Sequence, residues 1–520
     1  MSRALFKATS LVGGMTFLSR ILGFIRDMVM ARYFGAGMVM DAFFVAFKVP
    51  NFMRRTFGEG AFSLAFVPVI SEYKTTRQHR EVKELADRVA GTFGLVLFGV
   101  TLIGVVAAPV VVWIFAPGFS VHQTKYELTV QMLRVTFPYL MFISLTAFAG
   151  GILNTYGKFG VPAFTPVLLN LVMISAVIWL APHLAQPGMA LAWGVFVAGV
   201  VQLAFQVPFL LRIRLLPRPR MAAGHEAVSR IMKLMLPSLF GSSVSQINML
   251  VDTLIASFLV TGSVSWLYYA DRIMEFPLGV FSIALGTVIL PHLAQHYAAK
   301  SNLGFSATMD WALRLTAVMV LPAAMGLMVL AGPILATLFN YGAFDATATR
   351  MSSAALMTYS LGLLGFTLVK VLAPGYYARQ DTRTPVRIGV ISVIANIVLN
   401  GIITIPWAMH GWKAPHAGLA LSTSLAAFVN AGLLYRGLRK EGVYQPGANW
   451  QPLLLRVLIA NLVMGGMLWW GTRGLDTWFT RSALHRGAWL AFWVGLAMLV
   501  YFAVLFLIGF RVRDLRAKGA

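Results

Sequence analysis

The feature that most constrains this chain is a succession of long apolar stretches joined by short polar connections. A helix of about 20 apolar residues spans the ~30 Å hydrocarbon core of a bilayer. We count fourteen stretches of about that length or more. They lie at approximately 10–34, 38–70, 90–116, 128–156, 161–181, 188–211, 231–260, 265–296, 308–339, 352–377, 385–408, 416–436, 451–472 and 486–510. The pattern predicts an all-α polytopic membrane protein with fourteen transmembrane helices.

The composition supports this fold class and excludes several others. Hydrophobic residues make up 58% of the chain and charged residues only 12%, whereas soluble domains carry about 25% charged residues. So large an apolar surplus cannot be buried in a soluble core of this size. The chain has no cysteine, which excludes disulfides, thiolate metal sites and cysteine nucleophiles.

The basic residues are distributed unevenly along the chain. Alternate connections between the apolar stretches hold 25 lysines and arginines on one side and 6 on the other. An excess of Lys and Arg marks the cytoplasmic side of a membrane protein, so we expect both termini in the cytoplasm. Most of the formal net charge of +24 is then explained by basic residues in the cytoplasmic connections, and no nucleic-acid partner is expected.

An internal repeat divides the chain. Residues 19–72 resemble residues 245–295, and each segment reads as a helix, a turn of small residues and a second helix with a proline, Pro50 or Pro277, near its middle. We predict an N-lobe at 1–212 (helices 1–6), a cytoplasmic linker at 213–229, a C-lobe at 230–440 (helices 7–12) and an appended helix pair at 449–511 (helices 13 and 14). An even helix count makes the two lobes a parallel pseudo-repeat, an arrangement common in alternating-access carriers. Duplicated bundles also serve as channels and scaffolds, so the repeat leaves these alternatives open.

Most of the charges predicted to lie inside the hydrocarbon belong to two helix pairs. These are Arg20, Arg26, Asp27, Arg32, Asp41, Lys48, Arg54, Arg55 and Glu59 in helices 1 and 2, and Asp252, Asp271, Arg272 and Glu275 in helices 7 and 8. Each lipid-facing charge costs about 3 kcal/mol on insertion scales. We therefore expect both pairs to face a shared, water-filled cavity.

Two interpretations of these charges stay open at this point. Arg55 with Glu59 and Arg272 with Glu275 have the spacing of ion pairs along a helix, which favours internal salt bridges that close the cavity. The surplus of arginine in helices 1 and 2 instead favours an anion ligand, because the planar guanidinium binds phosphate oxygens in a bidentate manner. Ser19 lies seven residues before Arg26 and so on the same helix face.

Sequence signatures of catalysis are not found. The nearest approach to a phosphate-binding P-loop, from Gly151 to Lys158, has the wrong spacing. His292 and His296 lack the glutamate of a zinc-protease motif. We predict no catalytic residues, no metal ligands and no cofactor, and we keep an enzyme acting on a membrane substrate as the alternative from a different functional class.

Several long motifs resemble those of one family. They are SRILGFIRD at 19–27, FGAG at 34–37, DAFFVAFKVPN at 41–51, RRTFGEGAF at 54–62, GSVSWLYYADR at 262–272 and APGYYARQD at 373–381. Over essentially its whole length the chain is similar to the MurJ (MviN) lipid II flippases of the multidrug/oligosaccharidyl-lipid/polysaccharide (MOP) exporter superfamily.

The resemblance implies a transporter of the bacterial inner membrane with lipid II, the undecaprenyl-diphosphate-linked peptidoglycan precursor, as its substrate. Lipid II would pass from the cytoplasmic to the periplasmic leaflet, with its tail along helices 13 and 14. Predicted substrate-binding residues are Arg20, Arg26, Arg54, Arg272, Asn51, Ser19 and Ser265. Predicted gate or ion-pair residues are Asp27, Asp41, Glu59, Asp271 and Glu275.

Coupling and partners are less constrained. Some family members bind sodium through an aspartate of helix 7 and an asparagine and an aspartate after helix 10. Asp252 and Asp381 match the two acids, but Tyr377 replaces the asparagine, so Na⁺ or H⁺ coupling is left open. We expect a monomer in a phospholipid bilayer, with cell-wall synthesis proteins as candidate partners. The alternatives are a flippase of another undecaprenyl-diphosphate-linked oligosaccharide, or a drug/cation antiporter of the same superfamily.

Overall fold

The computed structural model describes residues 3–55, 62–221 and 225–515, and within these ranges the regular structure is helical, without strands. The α-helices are α1 (Arg3–Phe34), α2 (Met38–Met53), α3 (Ser63–Thr76), α4 (His79–Val106), α5 (Ala108–Phe115), α6 (Gln123–Thr136), α7 (Tyr139–Thr155), α8 (Gly160–Ser175), α9 (Met189–Arg212), α10 (Glu226–Ser257), α11 (Ser263–Ala298), α12 (Asn302–Val329), α13 (Ala331–Leu338), α14 (Ala346–Tyr377), α15 (Arg383–Leu399), α16 (Ile405–Met409), α17 (His416–Lys440), α18 (Trp450–Thr472), α19 (Asp476–Phe479) and α20 (Ala483–Leu507). Short π-helical turns continue α8 at Ala176–Leu180 and α15 at Asn400–Thr404. The predicted all-α fold is therefore confirmed.

Ten helical segments among the described residues are long and apolar enough to cross a membrane. Several of them have apolar faces that the protein does not cover. On α4, the side chains of Leu95, Phe98, Leu102, Ile103 and Val106 are 53–70% exposed, as expected for a face in contact with lipid. The other four predicted spans coincide with α1, α2–α3, α10 and α11, which carry the intramembrane charges. The count of fourteen spans stays a prediction.

The first compact unit comprises Met1–Val264. Within it α1 packs on α8, α2 on α6, α7 on α9, and α10 on α3. One apolar core of this unit joins α3, α4, α7, α9 and α10, and it contains Phe62, Phe66 and Phe148, whose rings are in contact. Helix α10, which begins the predicted C-lobe, is thus grouped by its packing with the first unit.

The second compact unit comprises Ser265–Ala520. Its central helix α14 packs against α12 and α17, while α18 packs against α12 and α20. One apolar core joins α12, α14 and α17, and another joins α12, α18 and α20. The lobe boundaries predicted from the repeat remain a prediction, because grouping by contacts does not report the origin of the repeat.

A buried carboxylate fixes the start of α18 to α12. Asp310 in α12 is 1% exposed and accepts hydrogen bonds from the Tyr444 hydroxyl (2.8 Å), the Gly447 amide (3.0 Å) and the Trp450 indole (2.7 Å). Arg314, one turn later, pairs with it at 2.6 Å. Burial raises the pKa of Tyr444, so its hydroxyl stays protonated and donates. The connection between α17 and α18 is therefore held by charge-assisted bonds.

Substituting Asp310 with asparagine is expected to reduce the free energy of unfolding by about 2–3 kcal/mol, because hydrogen bonds to a charged group contribute about 1.5–3 kcal/mol. Asp476→Asn is the matched control: its side chain is 79% exposed in the ion pair with Arg350, and exposed pairs contribute little. Thermal unfolding in detergent measures both. Equal, small shifts for the two variants would contradict the role assigned to Asp310.

The linker after α9 is docked on α4. Asp87 in α4 accepts from the Arg218 amide through its carboxylate (2.7 Å) and from the Arg220 amide through its backbone carbonyl (3.0 Å). Lys83 pairs with the same carboxylate. At Gly91 a Cβ atom would come within 2.1 Å of the Arg220 carbonyl oxygen. Only glycine allows the linker to lie this close to the helix.

Gly91→Ala is expected to displace the linker, to cost about 1–3 kcal/mol of stability through overpacking, and to speed cleavage by trypsin after Arg220, which precedes Met221. Gly94→Ala, on the same helix, is the control, because a Cβ there meets nothing within 4 Å. Limited proteolysis followed by mass spectrometry compares the two variants. Equal cleavage rates in both would show that the close approach at Gly91 does not hold the linker.

Candidate functional site

Charged residues of α1 form hydrogen bonds with one another and with α8. Asp27 is fully buried, and it accepts from Arg26 Nε (3.0 Å) and Nη2 (2.7 Å). Arg26 Nη1 donates to Asn170 Oδ1 in α8 (3.2 Å). The Asn170 amide donates in turn to the Ser19 backbone carbonyl (3.0 Å). The structure thus brings together Arg26, Asp27 and the backbone of Ser19.

Asn170 was not predicted as part of this group. Its only signal in the sequence is an amide within an apolar stretch, where a polar side chain needs a partner. The partner comes from a helix 144 residues away in sequence, so no local pattern could identify it.

The other two arginines of the first unit that were predicted to bind substrate lie in different surroundings. Arg20 on α1 is exposed, whereas Arg54 is half-buried just after α2. Arg54 Nε donates to the Asn51 side chain at 3.0 Å, which brings together two predicted substrate-binding residues. Arg55 is exposed, and Glu59, its predicted partner, lies outside the described residues.

A hydroxyl group of helix α10 contacts the charged side chain of Lys48 on α2. Lys48 Nζ lies 2.6 Å from the Thr253 hydroxyl, which itself donates to the Met249 carbonyl. Asp252, the neighbour of Thr253, is half-buried. The contact links the charged α2 to the helix that carries the predicted cation ligand of the first unit.

Asp41, at the start of α2, lies in a closed ion pair. It is 1% exposed and Lys125 is 3% exposed, with Lys125 Nζ at 2.7 Å from Asp41 Oδ2. The same oxygen accepts from the Gly262 amide at 2.7 Å. Lys125 Nζ also lies 4.0 Å from the ring centre of Phe119. Lys125 lies in the polar connection between the stretches predicted at 90–116 and 128–156, one of the six basic residues counted on the side with fewer. The structure places it in the first turn of α6, buried against Asp41.

In the second unit, Arg272 and Glu275 form the ion pair that their spacing indicates, with Nη1 3.3 Å from Oε2. Both side chains keep contact with solvent, at 25% and 52% exposure. Asp271 is half-buried, and Ser265 is fully buried. The assignment of these residues to substrate or gate stays a prediction.

Asp381, the second predicted cation ligand, caps a helix. Its Oδ1 accepts from the Arg383 and Thr384 amides at 3.0 Å each, at the start of α15. Hydrogen bonds from Thr384 in particular lower the pKa of Asp381, so it carries a negative charge at neutral pH. Tyr377, at the position of the missing asparagine, is 45% exposed. A capping role accounts for Asp381 by itself, and the cation assignment stays a prediction.

Comparison with known proteins identifies the family. The family model described as "Lipid II flippase MurJ" matches residues 30–488. A Vibrio cholerae serotype O1 protein named "Probable lipid II flippase MurJ" is 46% identical, over 99% of this chain and 98% of that protein. A Burkholderia cenocepacia protein named "Lipid II flippase MurJ" is 41% identical, over 99% of both chains.

Solved structures agree. "Lipid II flippase MurJ, inward closed conformation" aligns with a TM-score of 0.77 at 27% identity, covering 97% of this chain and 99% of that one. An inward-facing multidrug resistance MATE family transporter of the MOP superfamily aligns with a TM-score of 0.63 at 15% identity, covering 85% and 99%. The second similarity is one of fold alone. The family match and the whole-length relatives show that this chain belongs to the lipid II flippase MurJ family.

Proposed function

We propose that this protein moves lipid II from the cytoplasmic to the periplasmic leaflet of the bacterial inner membrane, as a transporter and not as an enzyme. The observation that carries the proposal is the concentration of arginine on α1 and directly after α2, within a bundle of mostly apolar membrane helices. Membership of the lipid II flippase family supports lipid II as the anionic lipid that these arginines bind. A drug/cation antiporter would be expected to place acidic and aromatic residues at these positions instead.

In this proposal Arg20, Arg26 and Arg54 bind the diphosphate of lipid II, and Arg272 of the second unit has the same role. Guanidinium groups suit this ligand because they stay charged and bind phosphate oxygens in a bidentate manner. Asn51 orients Arg54, which supports its assignment to the substrate site. Asp27 holds Arg26 in place, so its proposed role is to position that arginine.

In alternating access the cavity closes on one side of the membrane and opens on the other. We propose that ion pairs form on the closing side and break on the opening side. Asp41 with Lys125 and Arg272 with Glu275 are the described pairs proposed to act as gates. The membrane potential favours outward movement of an anion by about 2.3 kcal/mol per charge per 100 mV. We propose the potential, or an ion gradient, as the driving force.

The experiment that tests the function is translocation of fluorescent lipid II in proteoliposomes, read by an impermeant quencher that reaches only the outer leaflet. Protein-containing vesicles should exchange lipid II between leaflets much faster than empty vesicles. An excess of another undecaprenyl-diphosphate-linked oligosaccharide should not compete. Effective competition would favour the alternative flippase, and absence of exchange by folded protein would overturn the proposal.

The proposed orientation can be tested by cysteine labelling, because the chain has no cysteine of its own. Arg473→Cys, between α18 and α19, should react with an impermeant maleimide in intact cells with a permeabilised outer membrane. Lys440→Cys, at the end of α17, should react only after the inner membrane is opened. The unmodified protein is the blank. The reverse pattern would show that the positive-inside interpretation assigns the wrong side.

A further inference from the structure

A groove in the first unit is lined by residues that have no part in the proposed transport site. It has a volume of about 710 Å³ and lies between the start of α1, the turn before α8 and the end of α9. Pockets for small ligands commonly measure about 300–1,000 Å³. By the charge distribution along the chain, this end of the helices is the cytoplasmic one. The groove is therefore expected at the level of the cytoplasmic leaflet.

One wall of the groove is a row of aromatic rings that ends in a cation. The ring centres of Phe164 and Phe205 lie 5.4 Å apart, and those of Phe205 and Phe209 lie 5.5 Å apart. The guanidinium carbon of Arg212 then lies 5.6 Å from the centre of the Phe209 ring. The wall thus passes from apolar to cationic along the helix α9.

The other residues that line the groove show the same change from apolar to cationic. Leu11 and Met15 of α1 supply apolar atoms, and Lys158, in the turn before α8, adds a second exposed cation. At Gly160 a Cβ would lie 2.7 Å from Leu11 Cδ2, so α1 and α8 approach closely there. Two cations at one end and apolar walls along the rest match a ligand with an anionic head and a hydrocarbon chain.

We propose that this groove binds one anionic phospholipid of the surrounding leaflet. The acyl chain lies along the phenylalanine row, and the phosphate contacts Lys158 and Arg212. Charge complementarity favours this occupant, because the cytoplasmic leaflet carries anionic lipids that attract basic residues near the surface. A free phosphate ion would leave the apolar walls without a partner.

The test is titration of delipidated protein with phosphatidylglycerol and, separately, with phosphatidylcholine of the same acyl chains, followed by native mass spectrometry. The unmodified protein should bind one phosphatidylglycerol in preference to phosphatidylcholine. Lys158→Gln/Arg212→Gln should weaken that binding at least about tenfold, because each basic residue near the surface contributes to the attraction. Met15→Trp, which fills the groove, should weaken the binding of both lipids.

The matched control is Arg436→Gln/Lys440→Gln, which removes two exposed cations from the end of α17 and should leave binding unchanged. Equal thermal unfolding of the two double variants shows that the comparison concerns binding and not folding. Unchanged phosphatidylglycerol binding in Lys158→Gln/Arg212→Gln would overturn the proposal. So would equal affinity for the two phospholipids, or displacement of phosphatidylglycerol by inorganic phosphate or by undecaprenyl phosphate at equal concentration.

Discussion

Arg26→Ala is expected to reduce lipid II translocation at least about a hundredfold, because it removes the two charge-assisted hydrogen bonds, of about 1.5–3 kcal/mol each, that we propose Arg26 makes to the diphosphate. The proteoliposome exchange assay measures the loss. The variant also removes the partner of the buried Asp27, which accepts twice from Arg26. A loss of activity alone could therefore report the fate of Asp27 and not that of the ligand.

The double variant Arg26→Ala/Asp27→Asn separates the two explanations. It neutralises the buried carboxylate that the single variant leaves without its arginine, so the fold should recover while translocation stays lost. Recovery of translocation in the double variant would show that Arg26 serves only to neutralise Asp27. Lysine at Arg20, Arg54 or Arg272 is expected to impair exchange as well, because an ammonium cannot bind two oxygens in a planar fork. Normal activity in all these variants would refute the assignment of the arginines.

Lys125→Met is expected to reduce the free energy of unfolding by about 3–5 kcal/mol, because removing one member of a buried ion pair leaves the other charge uncompensated. Asp41 and Lys125 are both almost fully buried and 2.7 Å apart. Denaturation in mixed micelles, monitored by tryptophan fluorescence, measures the change. If the pair also acts as a gate, the variant should in addition alter lipid II exchange.

A double-mutant cycle identifies the source of that cost. Asp41→Asn/Lys125→Met removes both charges and keeps an acceptor near the Gly262 amide, so it should be more stable than Lys125→Met alone. Arg350→Met is the control, because Arg350 is 54% exposed in its pair with Asp476 and such pairs contribute about 0–1 kcal/mol. Purely additive effects of the two substitutions would show that the charges are not coupled.

Helix positions could be predicted from the sequence because hydropathy and length are local properties. The stretches predicted at 188–211 and 451–472 match α9 (Met189–Arg212) and α18 (Trp450–Thr472) within one residue at each end. The stretch at 90–116 was placed less well. In the structure the helix begins at His79, and the stretch is divided between α4 and α5 around Ala107. The start was missed because the first turns of α4 carry charged residues, which a hydropathy pattern does not assign to a membrane helix.

Pairing inside the bundle could be predicted only along one helix. Arg272 with Glu275 follows from a spacing of three residues, and the pair forms. Asp41 with Lys125 and Lys48 with Thr253 join residues 84 and 205 positions apart. Such contacts depend on which helices pack together. The single weak signal for the first pair was that both residues lie near the same predicted membrane surface.

The carboxylate of Asp310 has a mechanical consequence for the second unit. Arg314, which pairs with it, also donates to the Ala448 carbonyl (2.6 Å) and to the Asp514 carbonyl (3.2 Å). One turn of α12 is therefore hydrogen-bonded to the chain just before α18 and to the short turn that follows α20. Because these bonds join α18 and α20 to α12, we expect a tilt of α12 to move both helices with it. If the isoprenoid tail lies along these helices, as predicted from the resemblance, the same tilt would displace the tail.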